Sequence, residues 1–238
     1  MAQNIHLQTI DTSNKPFELN SKYILIIAAI FIMATLAADV VAYKMVSIGP
    51  LIESGATFIF PITYLLGDVV TEVYGFRIAR QLIWLNLACE LIFAALILGV
   101  IHLKSPPFWH HQREFEQTLG NMMRFVASGI VANIISDFLN IYLISKWKIF
   151  MKGKYFWLRS IASTSISELI LIIIVAFSAF TGPLNISQVF RLSFSAYALE
   201  LFYAFIFVWP SWILILHLKK KERMDVYDHN VSYNPFKF

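Results

Sequence analysis

The sequence has a single cysteine, Cys89, and few charged residues. One thiol excludes an intrachain disulfide bond. Asp, Glu, Lys and Arg together make up 14% of the 238 residues, whereas 58% of the residues are hydrophobic. A soluble domain has about 25% charged residues and cannot bury this much apolar side chain. A lipid bilayer accommodates the surplus, so the composition predicts a polytopic, all-α membrane protein.

The sequence also lacks the signatures of nucleotide hydrolysis and of metal catalysis. It contains no G-x-x-x-x-G-K-[ST] phosphate loop, so ATP cannot be the chain's own energy source. The stretch HHQRE, with His110, His111 and Glu114, has no zinc-site spacing, and a solvated surface patch explains it better. No Ser or Cys nucleophile has a recognisable partner. We therefore predict no enzymatic activity, no metal site and no cofactor.

Six apolar stretches are long enough to cross about 30 Å of hydrocarbon, which takes about 20 helical residues. They cover roughly 23–43, 56–75, 81–101, 124–145, 160–180 and 195–217. The polar segment 1–22 lacks the charged start and short apolar core of a cleaved signal peptide, so we expect the first span to stay in the mature protein. Residues 219–238 form a basic tail. The sequence thus predicts a six-helix bundle with no soluble domain.

Basic residues are unevenly distributed among the connections between these spans. The N-terminal segment, the 76–80 turn, the 146–159 connection and the C-terminal tail hold 14 of the 19 Lys and Arg residues. With six spans, all four segments lie on one face of the membrane, and the positive-inside rule puts both termini in the cytoplasm. The same rule explains the run KKKER at 219–223 as contact with anionic lipid, so we predict no nucleic-acid partner.

Several acids and amides fall at membrane depth, where charged groups are costly and usually face a bundle interior or a wet cavity. Asp68 and Glu72 in LGDVVTEVYG lie four residues apart and therefore on the same helix face. The similar stretches ISDFLN and ISELIL indicate that Asp137 and Glu168 face one cavity. Single Asn or acid residues also serve as hydrogen-bonding contacts between membrane helices, and that alternative stays open for the amides.

These positions form the predicted site. The candidate substrate-binding residues are Asp68, Glu72, Arg124, Asn133, Asp137, Asn140 and Glu168, and the candidate coupling or gating residues are Lys44, Glu90 and Glu200.

Three stretches of the chain resemble the bacterial queuosine-precursor transporters, also called the vitamin-uptake-transporter family. They are FPITYLLGDVVTEVYGFRIARQLIW at 60–84, YFWLRSIASTSISE at 155–168 and MDVYDHNVSYNPF at 224–236. The resemblance implies a six-helix importer of the inner membrane, similar in fold to the substrate-binding components of energy-coupling-factor transporters. The implied cargo is 7-cyano- or 7-aminomethyl-7-deazaguanine, salvaged for queuosine in tRNA.

The chain departs from the family pattern at three places. Many members carry Gln followed three residues later by Asp in the fourth and fifth spans, where this chain has Asp137 with Asn140 and Glu168 with Leu171. Glu200 replaces a Lys that is common in the sixth span. These departures leave open which precursor is preferred.

The acids suit this cargo, because one carboxylate can accept both neighbouring N–H groups of a guanine-like edge. Aromatic side chains near the cavity could stack on the bicyclic ring. An alternative reading is the binding subunit of an ATP-driven uptake complex for a vitamin or a purine-like compound, in which energising subunits would be partners.

Overall fold

The computed structural model describes residues 8–11, 21–49, 51–179 and 185–237, and within these it does not describe the side chains of 8–11, 51–52, 121–128, 176–179 and 192. Five helices make up most of the described chain. They are α1 (Ile24–Val41), α2 (Phe60–Ile101), α3 (Gln112–Phe150), α4 (Phe156–Ala179) and α5 (Ile186–Glu222). The short elements are strands β1 (Gln8–Asp11), β2 (Met45–Ile48), β3 (Leu51–Ser54) and β4 (Met224–Tyr227), and a 3₁₀ helix at Gly55–Phe58.

Four of the described helices are long and apolar enough to cross a membrane, judged by length and composition. These are α1, α2, α4 and α5, and the apolar part of α4 covers Phe156–Val175. By these two criteria, helix length and apolar composition, the prediction of a helical membrane protein is confirmed. Helix α3 is equally long but more polar, and it carries Asn133, Asp137 and Asn140.

Helix α2 consists of two segments that meet at Gly75, whose φ of 81° and ψ of 174° lie outside the helical region. In a continuous helix, Thr63 and Glu90 would be about 40 Å apart. Both nevertheless line the same cleft, so the chain reverses direction at Gly75 and the two segments lie side by side. The segments Phe60–Tyr74 and Phe76–Ile101 fall on the second and third predicted spans, and the bundle has six helical segments in its described part.

Glycine is required at this turn because the C-terminal segment packs against it. A Cβ at position 75 would lie 2.8 Å from Asp228 Oδ1 and 2.8 Å from Val226 Cγ1. Asp228 also caps the second segment, since its Oδ2 accepts a 2.9 Å hydrogen bond from the backbone N–H of Phe76. Burial raises the pKa of Asp228 above its ordinary value, while hydrogen bonds from Ser145 and Phe76 oppose that shift.

The C-terminal tail is a packed part of the bundle, whereas the sequence indicated a separate basic segment. Strand β4 pairs in parallel with β1, so the two ends of the described chain lie together. Farther along, Arg80 donates hydrogen bonds to the carbonyl oxygens of Ser232 and Asn234, at 3.2 and 2.8 Å. The ring of Tyr233 packs 4.8 Å from that of Phe76, centroid to centroid. The tail thus fixes the second segment of α2 against α3.

A group of buried charges lies at the same end of the bundle. This ionic cluster consists of Glu72, Lys148, Arg159, Lys219 and Asp225. Glu72 is fully buried, and its two carboxylate oxygens lie 2.8 Å from Arg159 Nη1 and 2.8 Å from Lys219 Nζ. Lys148 Nζ lies 2.6 Å from Asp225 Oδ1 and 3.8 Å from Glu72. The cluster therefore joins α2, α3, α4, α5 and β4.

The segments that the charge pattern assigned to one membrane face meet at this end. Ser21, just before α1, donates a 2.6 Å hydrogen bond to Glu222 at the end of α5. The 76–80 turn and the 146–159 connection reach the tail through Asp228 and through the ionic cluster. The described parts of the four basic segments are thus neighbours at one end of the bundle.

Replacing Gly75 with Ala should destabilise the protein. The new methyl group would meet Asp228 and Val226, and the backbone would keep a conformation that costs a residue other than glycine about 1–3 kcal/mol. We expect a lower melting temperature in detergent. The matched control is Gly99→Ala in the same helix, where an added Cβ has no neighbour within 4 Å. Equal melting temperatures for the two variants would contradict the packed turn.

Replacing Glu72 with Gln should be more damaging. Removing one partner of a buried ion pair leaves uncompensated charge and costs about 3–5 kcal/mol. Here Lys148 and Lys219 would keep Asp225, whereas Arg159 would lose the carboxylate with which it pairs. Denaturant unfolding of the purified protein measures the loss, with Glu114→Gln, an exposed acid on α3, as the control. A free energy of unfolding equal to that of the control would show that the cluster adds no stability.

Candidate functional site

A cleft lies between α1, both segments of α2 and α3, with one residue from α4. It contains about 680 Å³ of space between atoms, part of it open to the outside. Its apolar wall is formed by Phe31, Phe60, Tyr64, Gly67, Ile83, Leu87, Ile130, Ile134, Ile141 and Leu171, and its polar wall by Thr35, Thr63, Asn86, Glu90, Asn133, Asp137 and Asn140. The rings of Phe60 and Tyr64 are stacked, with centroids 6.1 Å apart. A flat ring system could therefore pack between apolar and aromatic surfaces here.

Two buried amides present their carbonyl oxygens without a partner. Asn86 Nδ2 donates a 2.6 Å hydrogen bond to Glu90, and Asn140 Nδ2 donates a 2.8 Å hydrogen bond to Asp68. A carboxylate only accepts hydrogen bonds, so these contacts fix the orientation of both amide groups. Within the described part of the chain, Asn86 Oδ1 and Asn140 Oδ1 are buried and have no hydrogen-bond partner. A ligand with N–H groups could satisfy both oxygens.

Asp137 adds a carboxylate to the same wall. It is half-buried, and no described residue donates a hydrogen bond to its side chain. Asn133, one turn earlier on α3, contributes an amide beside it. The hydroxyl groups of Thr35 and Thr63 donate to carbonyl oxygens of their own helices, at 3.0 and 2.8 Å. The polar wall therefore offers many acceptors and few free donors.

Asp68 lies between this cleft and a second, smaller chamber. One of its oxygens accepts from Asn140, and the other accepts a short hydrogen bond from the Ser160 hydroxyl. The second chamber is bounded by α2, α4 and α5, and Thr164, Tyr203 and Phe207 line it together with Asp68 and Ser160. Since both oxygens of Asp68 are engaged, its contact with the cleft is made through Asn140.

Two carboxyl groups form a pair deeper in the bundle. Glu168 on α4 and Glu200 on α5 are hydrogen-bonded to each other, and the Tyr64 hydroxyl bonds to Glu168. Tyr64 lines the cleft, but neither glutamate is among the described lining residues. Glu168 is close enough to Asp137 for their charges to interact. Its hydrogen bond with the Tyr64 hydroxyl connects it to the cleft.

Two predicted residues, Glu72 and Lys44, lie away from this arrangement. Glu72 points into the ionic cluster, where cations occupy both of its oxygens. Lys44 is exposed in the connection after α1. The side chain of Arg124 is outside the part of the chain that the structure describes. The structure therefore brings together Asp68, Glu90, Asn133, Asp137 and Asn140 around the cleft and separates Glu72 from them.

Sequence reasoning missed the hydroxyl groups of Tyr64 and Ser160. Tyr64 precedes Asp68 by four residues and so shares its helix face, which was a usable signal. Nothing in the local sequence distinguishes Ser160 from the other serines of the stretch SIASTSIS, because its partner comes from another helix. Within the described residues, no group of three or more His, Cys, Asp or Glu side chains could hold a metal ion.

The chain is similar in sequence to proteins described as transporters. Residues 54–215 match the model of the family described as "Putative vitamin uptake transporter". A protein of Bacillus subtilis (strain 168) named "Probable queuosine precursor transporter" is 27% identical over 150 residues, which cover 63% of this chain and 66% of that protein. No solved structure matches the chain. The family match includes every described residue of the cleft except Phe31 and Thr35, and it covers more than half of the sequence. The chain therefore belongs to the vitamin uptake transporter family.

Proposed function

We propose that the protein imports a queuosine precursor, 7-cyano- or 7-aminomethyl-7-deazaguanine, across the bacterial inner membrane. The observation that carries this proposal is the cleft, which is lined both by aromatic rings and by buried amide oxygens that have no hydrogen-bond partner within the described structure. A deazaguanine is flat and has several N–H donors, so both walls match its chemistry. The family match and the name of the Bacillus subtilis relative support the same class of cargo.

The guanine-like edge would meet the polar wall. Its adjacent N–H and amino groups need acceptors, of which Asn140 Oδ1 could provide one, while the Asp137 carboxylate would face the substituent of the ring. The ring carbonyl needs a donor, and the Asn133 amide is suited to this role. Phe31, Phe60 and Tyr64 would contact the faces of the ring, where stacking on aromatic side chains is worth about 1–3 kcal/mol per base.

The remaining predicted residues take supporting roles in this proposal. Asp68 orients the Asn140 amide, and Glu72 holds the helix ends together through the ionic cluster. Glu90 lines the cleft, and Glu168 connects to it through Tyr64 and is hydrogen-bonded to Glu200. These positions suit a role in coupling or gating. For Lys44 we keep the prediction of a role in coupling or gating, and for Arg124 that of substrate binding. The contacts described above do not bear on either residue.

The proposal includes the arrangement in the membrane. Six helical segments would cross it, with both termini in the cytoplasm and the fold similar to the substrate-binding components of energy-coupling-factor transporters. The pairing of β1 with β4 and the meeting of the basic segments at one end support this orientation.

A cell assay tests the cargo and the site. In a strain that cannot make queuosine precursors, the wild-type chain should restore queuosine in tRNA when either precursor is supplied. Gly67→Leu would fill the cleft beside Phe31, so uptake should fall at least about tenfold, equivalent to about 1.4 kcal/mol. Gly99→Leu, whose side chain would enter open space on the same helix, is the control. No restoration by the wild type would refute the proposed cargo, and normal uptake by Gly67→Leu would move the site elsewhere.

Purified protein in liposomes tests whether the chain works alone. Because the sequence contains no phosphate loop, we expect uptake of the labelled precursor without ATP, and none by Gly67→Leu. Binding without any uptake would instead favour the binding subunit of an ATP-driven complex.

A further inference from the structure

We infer that the cleft prefers a cationic, amine-bearing 7-deazaguanine to the neutral nitrile form. This inference rests on the proposed function and chooses between the two precursors that the proposed function allows. It depends on the charge of the cleft wall and on the direction in which its amides point.

The described lining residues of the cleft include two acids and no cation. Glu90 and Asp137 both line it, and no Lys or Arg is among the described lining residues. The buried cations Lys148, Arg159 and Lys219 are already paired with Glu72 or Asp225 in the ionic cluster. A carboxylate away from water needs a cation or several hydrogen bonds. Glu90 has one such bond from Asn86, and Asp137 has none from the described residues.

The unpartnered amide oxygens point to the same conclusion independently. Asn86 is 6% exposed and Asn140 is 8% exposed, yet the Oδ1 atom of each has no partner within the described structure. Both residues line the cleft. Among the described lining residues, acceptors thus outnumber free donors, and no side chain carries a positive charge. A protonated amine supplies both, because an ammonium group has three N–H donors and one positive charge.

A nitrile supplies neither of these. Its nitrogen only accepts hydrogen bonds, so beside Asp137 or Asn86 Oδ1 it would place acceptor against acceptor. The ring edge is the same in both precursors and could bind equally well. The difference in affinity therefore comes from the substituent and from the acid that faces it, for which Asp137 is the half-buried candidate.

Calorimetric titration of the purified full chain tests this with 7-aminomethyl-7-deazaguanine, 7-cyano-7-deazaguanine and guanine. We expect the aminomethyl compound to bind at least about tenfold more tightly than the nitrile. Asp137→Asn should reduce that ratio to about threefold or less while changing nitrile affinity by no more than about twofold. Glu90→Gln provides a second test if Asp137→Asn folds poorly. Glu114→Gln, an exposed acid on the same helix as Asp137, should keep the full ratio.

The outcomes separate this inference from the proposed function. Equal or tighter binding of the nitrile would overturn the preference for a cation and leave the deazaguanine cargo intact. An unchanged ratio of aminomethyl to cyano affinity in both Asp137→Asn and Glu90→Gln would also overturn it, since the cleft acids would then not contribute to recognition of the amine. If neither deazaguanine bound to folded protein, the proposed function and this inference would fail together.

Discussion

The charge of Glu72 is the constraint on which the rest of the structure depends. A buried carboxylate must be paired, and the cations that pair with it come from the ends of three other helices. Because these partners converge on one group, the ends of α3, α4 and α5 are held around the first segment of α2. Asp68 lies one helical turn away, so its position between Asn140 and Ser160 is set by the same contacts.

Electrostatics divides the bundle into two regions. Lys148, Arg159 and Lys219 neutralise Glu72 and Asp225 at the end where the tail packs. The middle of the bundle is left with acids and with amides whose N–H groups are already donated to carboxylates. Structural charge is thus satisfied internally, while two amide oxygens at the cleft have no hydrogen-bond partner within the described structure. This separation is what makes a binding role more fitting than a purely structural one.

Much of this architecture could be predicted from the sequence, and the exceptions have physical causes. Apolar runs predicted helices at the positions of the six helical segments of the described chain, because a long apolar run favours a helix that can cross hydrocarbon. Helical periodicity put Asp68 and Glu72 on one face, and both are buried. It could not show that cations take up Glu72 whereas amide and hydroxyl groups surround Asp68. The two positions differ by about 6 Å along the axis, which is enough to place one among helix ends and the other beside the cleft.

The sequence alone determined that the chain is a helical membrane protein, which segments carry basic charge, and which acids fall within apolar stretches. These properties follow from composition and spacing, which are local. Only the tertiary structure decided which partner each acid has, that the tail packs against the Gly75 turn, and that the buried side-chain oxygens of Asn86 and Asn140 have no partner within the described structure. Those outcomes depend on side chains from distant parts of the chain, and no local pattern records which helices will meet.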